Sequence, residues 1–218
     1  VVVYSDGGGG HPFLQGDRLE KIGALMKKGV GLGAIHYAVE PTTAKGNAEF
    51  RDWIGGCFET FWSVNPHWDG DFKEFPKHSV TSGVKPFKTN DEWYYHMRFQ
   101  PEMKGVTPLL SALPPITTLD LGDNPGERAG NPDVIKSVKA GEVQHLAWAY
   151  QRPNGARGVG FTGFHDYYNL QNDGFRTTLL NAVAWVAKLK IPKDGIPSTT
   201  PSRAELDALM AEAHSTAK

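Results

Sequence analysis

The first forty residues constrain the fold most, because two apolar strand-like runs flank one amphipathic segment. Residues 1–4 read VVVY, a β-branched run typical of a strand buried on both faces, and residues 30–36 read VGLGAIH. Between them, apolar side chains recur near helical spacing at Leu14, Leu19, Ile22, Leu25 and Met26. Gly29 follows two lysines as a helix stop. This order predicts a βαβ unit with parallel strands and a right-handed crossover.

Two turns are expected at the ligand-binding edge of this unit. Ligands of open α/β sheets lie beyond the carboxyl ends of the strands, which places residues 5–11 (SDGGGGH) and 36–40 (HYAVE) there. The glycine run at 7–10 matches neither GxxxxGK[ST] nor GxGxxG, and no lysine follows in place to reach a phosphate. It is therefore predicted to be a permissive turn.

Composition excludes several classes of protein. A chain of 218 residues with 39% apolar content and a net charge of −1 indicates about one ordinary soluble domain and no nucleic-acid partner. No apolar run approaches the length of a membrane span, so no membrane partner is expected. The single cysteine, Cys57, forms no internal disulfide and leaves the compartment open between cytoplasmic and periplasmic or secreted.

The rest of the chain divides into recognisable segments. Residues 52–99 are crowded with aromatic side chains and histidines, as expected of a binding region. Residues 106–113 predict a strand, and the polar stretch 117–142 predicts a long loop. Residues 145–164 predict two strands around a turn at Pro153 to Gly155.

A helix and a tail follow. The helix begins after residues 171–173 (QND), with one apolar face formed by Phe175, Leu179, Val183 and Val186. The main domain is expected to span residues 1–197, and residues 198–218 form a tail. In the tail, Ser202 and Glu205 have the spacing of a capping box and predict a short helix.

His36 ends the second strand, where many α/β enzymes place a nucleophile. Those enzymes use Cys or Ser at this elbow, so a histidine there disfavours a glutaminase triad. Cys57 follows a Gly-Gly break instead of a strand and is predicted to be a core residue. For His36, three roles stay open: metal ligand, general base, or a histidine bonded only to backbone.

His165 follows Gly163 at the end of a later strand and is expected at the same edge as His36. If His96 or His67 joined them, the ligand set would suit zinc or a similar ion with an open position. The spacing matches no compact metal motif such as HExxH, so structural histidines remain an equal alternative.

The stretch 90–98 (NDEWYYHMR) combines carboxylates, aromatics and a cation. If it is a strand, one face carries Asp91, Trp93, Tyr95 and Met97. The other face then carries Glu92, Tyr94, His96 and Arg98. Glu92 and His96 would supply acid/base groups, and Arg98 would hold an anionic or hydroxylated ligand. The alternative is an antiparallel strand with one solvated face and one packed face.

These segments, together with FWSVNPHW at 61–68, AWAYQRPNGARGVGFTGFH at 147–165 and NDGFRTTLLNAVAWVAK at 172–188, resemble ThuA-like (trehalose utilisation) domain proteins. The resemblance extends from Val1 to about Pro192. It implies an α/β, flavodoxin-like three-layer sandwich with a mainly parallel sheet, of the class I glutamine amidotransferase-like kind. It also implies a role in sugar catabolism without the amidotransferase cysteine. Members of the family usually carry an earlier strand and helix, so this chain is expected to lack that N-terminal unit.

The chain departs from the family pattern at two places. Phe61 stands where relatives commonly have the first histidine of THWSVNPHW. In TGFHDYYNL, His165 is kept, but Tyr167 replaces a second histidine and Leu170 replaces a tryptophan. A metal that needs all of these histidines could not be bound in the family's manner.

Two functions follow as hypotheses. The first is an enzyme of hydrolase, lyase or isomerase type acting on a small-molecule sugar or keto-sugar. Its catalytic residues would be His36, His165, Glu92 and His96, and its substrate contacts Trp62, Asn65, His67, Trp93, Tyr95, Arg98 and Arg152. A divalent metal such as zinc would be held by His36 and His165. The second is a non-catalytic carbohydrate-binding protein that has lost catalytic histidines. Both leave homo-oligomer formation open.

Overall fold

The computed structural model of the protein describes residues 1–119 and 132–216, with side chains described up to residue 212. The strands are β1 (Val2–Tyr4), β2 (Leu32–Ile35), β3 (Gly56–Cys57), β4 (Trp68–Phe72), β5 (Phe87–Asp91), β6 (Arg98–Phe99), β7 (Val106–Ala112), β8 (Gln144–Gln151) and β9 (Arg157–Phe161). The α-helices are α1 (Arg18–Lys27), α2 (Asn47–Ile54), α3 (Pro132–Lys139), α4 (Asp173–Val186) and α5 (Arg203–Thr216). Short 3₁₀ turns lie between them, including one at His36–Val39 and one at Tyr167–Gln171.

Five strands form the main sheet, in the order β1-β2-β9-β8-β7. β1, β2 and β9 are parallel neighbours, while β8 runs antiparallel to both β9 and β7. Four of the five strands therefore point the same way, which confirms the predicted mixed α/β fold with a mainly parallel sheet. The predicted βαβ unit is β1-α1-β2, and the predicted strand pair around Pro153 is β8-β9.

The sheet has an apolar core on each face. On one face, Ile35 and Phe161 pack against Phe175 and other residues of α4. On the other face, Leu32 and Ala34 pack with side chains of α1 and α2. Alternation along β2 explains this division, since successive side chains of a strand point to opposite faces. The result is the three-layer arrangement expected of a flavodoxin-like fold.

Two pieces of secondary structure differ from the prediction. The run VVVY is an edge strand instead of one buried on both faces, with Val2 43% and Tyr4 55% exposed. Part of the predicted loop 117–142 is helix α3, because Val134 and Val138 lie one turn apart and are buried. Residues 120–131 of that predicted loop lie outside the described residues.

The helices near the C-terminus agree with the prediction. The Asn172 side chain caps α4 by accepting a hydrogen bond from the amide of Phe175. Val183, placed on the apolar face by the sequence pattern, is instead partly exposed. Ser202 and Glu205 form the predicted reciprocal capping box at the start of α5. None of the helices in the described part of the chain is long and apolar enough to span a membrane.

Candidate functional site

His36 and His165 meet at the carboxyl edge of the main sheet. His36 directly follows β2 and has a left-handed φ of 55°, an unusual conformation for a residue with a side chain. His165 lies in the loop after β9, the parallel neighbour of β2. Both histidines lie at the predicted edge, and because the carboxyl ends of adjacent parallel strands lie side by side, the two imidazoles converge there. Their ring centroids are 5.2 Å apart.

Glu92 completes a group of three donor atoms. It directly follows β5, which pairs with β4 in a separate two-stranded sheet. Its Oε2 lies 3.4 Å from His36 Nε2 and 3.0 Å from His165 Nδ1, and the two histidine nitrogens are 3.2 Å apart. We call His36, Glu92 and His165 the triad.

The hydrogen bonds of His36 define which nitrogen is free. Its Nδ1 lies 3.0 Å from the carbonyl oxygen of Thr162, and a carbonyl oxygen only accepts, so Nδ1 carries the proton. In the neutral ring, Nε2 then presents its lone pair to Glu92 and His165. Burial lowers the pKa of His36, against opposing contributions from the Thr162 carbonyl and Glu92. The neutral form with a free Nε2 is therefore favoured at neutral pH.

Two further side chains contact the triad carboxylate. The Asn65 amide donates to Glu92 Oε1 at 2.9 Å, which leaves Oε2 to face the histidines. The Tyr94 hydroxyl lies 3.5 Å from both Glu92 Oε2 and His36 Nε2. Burial, followed by the charge of Glu92, raises the pKa of Tyr94, so its hydroxyl stays protonated and acts as a donor.

The triad is partly open to solvent, on the side of His165. The side chains of His36 and Glu92 are 8% and 10% exposed, whereas that of His165 is 52% exposed. The exposed His67 places its ring edge-on to His165, with centroids 5.0 Å apart. A ligand approaching the triad would therefore meet His165 and His67 first.

The three donor atoms suit a divalent metal ion. With bond lengths of about 2.0–2.2 Å, neighbouring ligand atoms of a tetrahedral zinc site lie about 3.3–3.6 Å apart. The triad separations of 3.0–3.4 Å are close to this, so small adjustments would place all three atoms on one ion. Two imidazoles and one carboxylate, with a fourth position left open, form a ligand set of known catalytic zinc sites. Without an ion, the same atoms form a buried hydrogen-bond network.

Several predicted site residues lie in a second cluster away from the triad. His96 Nδ1 bonds to the Trp62 carbonyl oxygen, and the two rings are in tilted contact with centroids 4.4 Å apart. The guanidinium of Arg98 lies 3.4 Å from the centroid of the Trp62 ring and pairs with Glu59 at 3.0 Å. Trp62 is thus already in contact with a cation and an imidazole of its own chain. His96, Trp62 and Arg98 thus form a cluster of their own and are no part of the triad.

Three more of the predicted substrate contacts are structural in this fold. Trp93 and Tyr95 are 0% exposed, and the Tyr95 hydroxyl bonds to Thr118. The guanidinium of Arg152 donates to carbonyl oxygens of Val30 and Arg157, at the amino ends of β2 and β9. Arg152 therefore lies at the opposite edge of the sheet from the triad.

Two contributors to the site were not singled out from the sequence. Tyr94 lies two residues after Glu92, so strand alternation places both side chains on one face. That shared face was the signal available in the sequence. The carbonyl oxygen of Thr162, which sets the protonation of His36, carries no residue-type signal, because every residue has one.

Together, the mainly parallel sheet and the two strand-end histidines define a flavodoxin-like α/β protein with a histidine–glutamate site where related folds carry a nucleophile. The sequence model of the family described as "ThuA: Trehalose utilisation" matches residues 1–186, and the chain belongs to this family. This membership supports a carbohydrate-related role.

One solved structure is similar, that of a ThuA-like protein from Bacteroides uniformis. It is 17% identical in sequence, the match covers 85% of this chain and 67% of that chain, and the TM-score is 0.54. At this identity the likeness supports the fold alone. No curated protein sequence matches the chain significantly.

Proposed function

We propose that the protein is an enzyme acting on a sugar or keto-sugar, with a divalent metal ion such as zinc held by the triad. The observation that carries the proposal is the approach of His36 Nε2, Glu92 Oε2 and His165 Nδ1 to within 3.0–3.4 Å of one another. They come from three separate segments of the chain. Membership of the trehalose utilisation family supports the choice of a carbohydrate.

An ion at the triad would polarise a carbonyl group or lower the pKa of a bound water towards about 7. The chain's own residues prepare the site for a neutral-pH reaction. Burial favours the neutral form of His36, and the Thr162 carbonyl holds the ring proton on Nδ1, so Nε2 is free. Asn65 fixes the rotation of the Glu92 carboxylate. The Tyr94 hydroxyl supplies a proton donor beside it.

The same side chains suit a hydroxylated ligand. His67 and the exposed part of His165 offer ring nitrogens at the entrance, where sugar hydroxyls can donate or accept.

Phe61, which stands in place of a histidine common in relatives, is 69% exposed. The Tyr167 ring lies 4.3 Å from that of Tyr168. These replacements do not interrupt the triad, which supports the enzyme over the non-catalytic alternative.

Metal content is the first test. The purified protein would be loaded with Zn²⁺, dialysed and measured by inductively coupled plasma mass spectrometry, beside His36→Ala and the control His145→Ala. His145 bonds to Ser111 on the neighbouring strand and is no part of the triad. We expect near-stoichiometric zinc in the wild type and in His145→Ala, and loss of zinc in His36→Ala. No zinc in the wild type would remove the metal from the proposal.

Turnover is the second test. Zinc-loaded and zinc-free protein would be incubated with disaccharides and their keto derivatives, and products followed by chromatography. We expect product from at least one sugar, dependent on His36 and unaffected by His145→Ala. A sugar that binds by calorimetry without turnover in either form would favour the non-catalytic carbohydrate-binding function instead.

A further inference from the structure

We propose that Asp91 is a positioning residue that sets the distance between two members of the triad, Glu92 and His165. The inference rests on the proposed function, because it assigns a role at the same site. Asp91 ends β5 and is 1% exposed. Its carboxylate does not hydrogen-bond to the donor atoms of the triad. Instead, it accepts hydrogen bonds from the main chain that carries them.

A single oxygen atom bridges the two residues. Asp91 Oδ1 accepts hydrogen bonds from the backbone N–H of Glu92 at 2.8 Å and from the backbone N–H of His165 at 2.9 Å. These residues lie 73 positions apart in the chain and follow strands of different sheets. Because both amides bond to one atom, their separation is fixed by that atom. The positions of Oε2 of Glu92 and Nδ1 of His165 follow from it.

The second oxygen holds the loop that delivers His165. Asp91 Oδ2 accepts from the backbone N–H of Phe164 at 2.8 Å and from the Asn169 amide at 2.7 Å. Phe164 has a φ of 88°, a strained conformation for a residue with a side chain, which persists only where surrounding contacts enforce it. The bond to Oδ2 is one of those contacts.

The donor set requires a carboxylate. Both oxygens of Asp91 accept two N–H donors each, so neither position can be an NH₂ group. The Asn169 amide is itself oriented, because its oxygen accepts from the Thr89 hydroxyl at 2.6 Å. In Asp91→Asn, one amide nitrogen would face two N–H donors, and the contacts on that side would be lost.

The experiment compares Asp91→Asn with Asn181→Asp, a matched exchange at a buried site away from the triad. Asn181 is 0% exposed, donates to the carbonyl oxygens of Val80 and Ser82, and accepts from the amide of Ile196. Each exchange breaks buried hydrogen bonds, so both variants should unfold at lower temperature. Only Asp91→Asn should affect the triad.

Two quantities would be measured: Zn²⁺ affinity by competition titration, and the ring ¹⁵N signals of His36 and His165 in the metal-free protein. We expect Asp91→Asn to weaken zinc binding by about 10- to 100-fold, the usual cost of losing an outer contact that orients ligands. It should also shift the His165 signals. Asn181→Asp should change neither. Equal effects of the two exchanges, or an unchanged site in Asp91→Asn, would overturn the positioning role.

The outcome separates this inference from the proposed function. If the wild type binds no zinc, the metal proposal fails, and the ring signals alone decide the role of Asp91. Unchanged His165 signals in Asp91→Asn would then refute it. If Asp91→Asn does not fold, Asn169→Ala replaces it, since this change removes one of the four donors and leaves the bridging Oδ1 in place. A smaller change in the same two quantities is expected there, and no change would count against the role.

Discussion

The Nδ1 of His36 donates to the carbonyl oxygen of Thr162 at 3.0 Å, across the gap between the carboxyl ends of β2 and β9. This bond fixes both the orientation of the imidazole and its protonation. Since Thr162 directly follows β9 in the segment that leads to His165, the bond also ties the two histidine-bearing segments together. A histidine bonded only to backbone would have a structural role alone. His36 uses one ring nitrogen for the backbone and keeps the other, Nε2, available to a ligand.

We therefore predict that His36 of the metal-free protein is the Nδ1–H tautomer near neutral pH. Long-range ¹H–¹⁵N correlation spectra distinguish a protonated from an unprotonated ring nitrogen, and His36→Gln assigns the signals. His11 is an internal reference for the other tautomer, Nε2–H. Its Nδ1 accepts from the Phe13 amide at 3.0 Å, and its Nε2 donates to the carbonyl oxygen of Ala38. Finding Nε2–H at His36 would contradict the ligand role.

Adjacent tyrosines allow a matched test of the contact to the triad carboxylate. Tyr94→Phe removes a hydroxyl 3.5 Å from Glu92 and His36 while keeping the ring that packs on Phe58. We expect zinc affinity or turnover to fall by about 10-fold, the lower end of the range for outer contacts, with little loss of stability.

Tyr95→Phe is the control for that change. Its hydroxyl bonds to Thr118 at 2.9 Å in the core, so its removal should cost about 0.5–1.5 kcal/mol of stability and leave zinc affinity unchanged. Calorimetric titration with Zn²⁺ and urea unfolding would measure the two effects. If both variants retained full affinity and turnover, Tyr94 would have no part in the site.

Much of the strand-end geometry could be predicted from the sequence. The βαβ pattern is local, and the carboxyl-edge rule then places His36 and His165 together without knowledge of side-chain contacts. The edge position of β1 could not be predicted in the same way. VVVY has the composition of a central strand, and strand order depends on pairing between residues distant in the chain.

The stretch after β5 illustrates the limit of strand periodicity. Alternation predicted that Glu92, His96 and Arg98 share a face, but the strand ends at Asp91. His96 then adopts a left-handed φ of 56°, which turns the chain so that His96 and Arg98 pack around Trp62 instead. Glu92 reaches the triad because it directly follows the strand, before the chain has turned.

Acid sensitivity is predicted from the buried histidines. Burial lowers the pKa of several histidines below 6.5, namely His11, His36, His78, His96 and His145. The unfolded chain then binds protons that the folded chain does not. Their stabilising contribution is complete above about pH 6.5 and is lost as the pH falls below it, by up to about 1.4 kcal/mol per pH unit for each histidine.

The free energy of unfolding of the metal-free protein, from urea titrations at several values between about pH 7.5 and about pH 5.5, would measure this slope. His11→Gln should be less stable at neutral pH but have a shallower slope, because His11 is fully buried and no longer titrates. A stability that does not change over this range, or an equal slope in His11→Gln, would contradict the prediction.

Gly163 links the core to the loop that carries His165. A Cβ at this position would lie 2.5 Å from the ring of Trp93, which is fully buried and packed on Phe161 and Phe175. The ring cannot move aside, so Gly163→Ala must displace the loop. We expect a loss of about 1–3 kcal/mol in stability, as is usual for overpacking, together with weaker zinc binding because His165 lies two residues further on.

Gly9→Ala is the matched control, since a Cβ there would meet nothing within 4 Å. It should leave both the free energy of unfolding and the zinc affinity within error of the wild type. If Gly163→Ala lost stability but kept full zinc affinity, His165 would be held by the hydrogen bonds of its own loop and not by the packing beneath it. If it kept both, the close approach of Gly163 to Trp93 would not constrain the site.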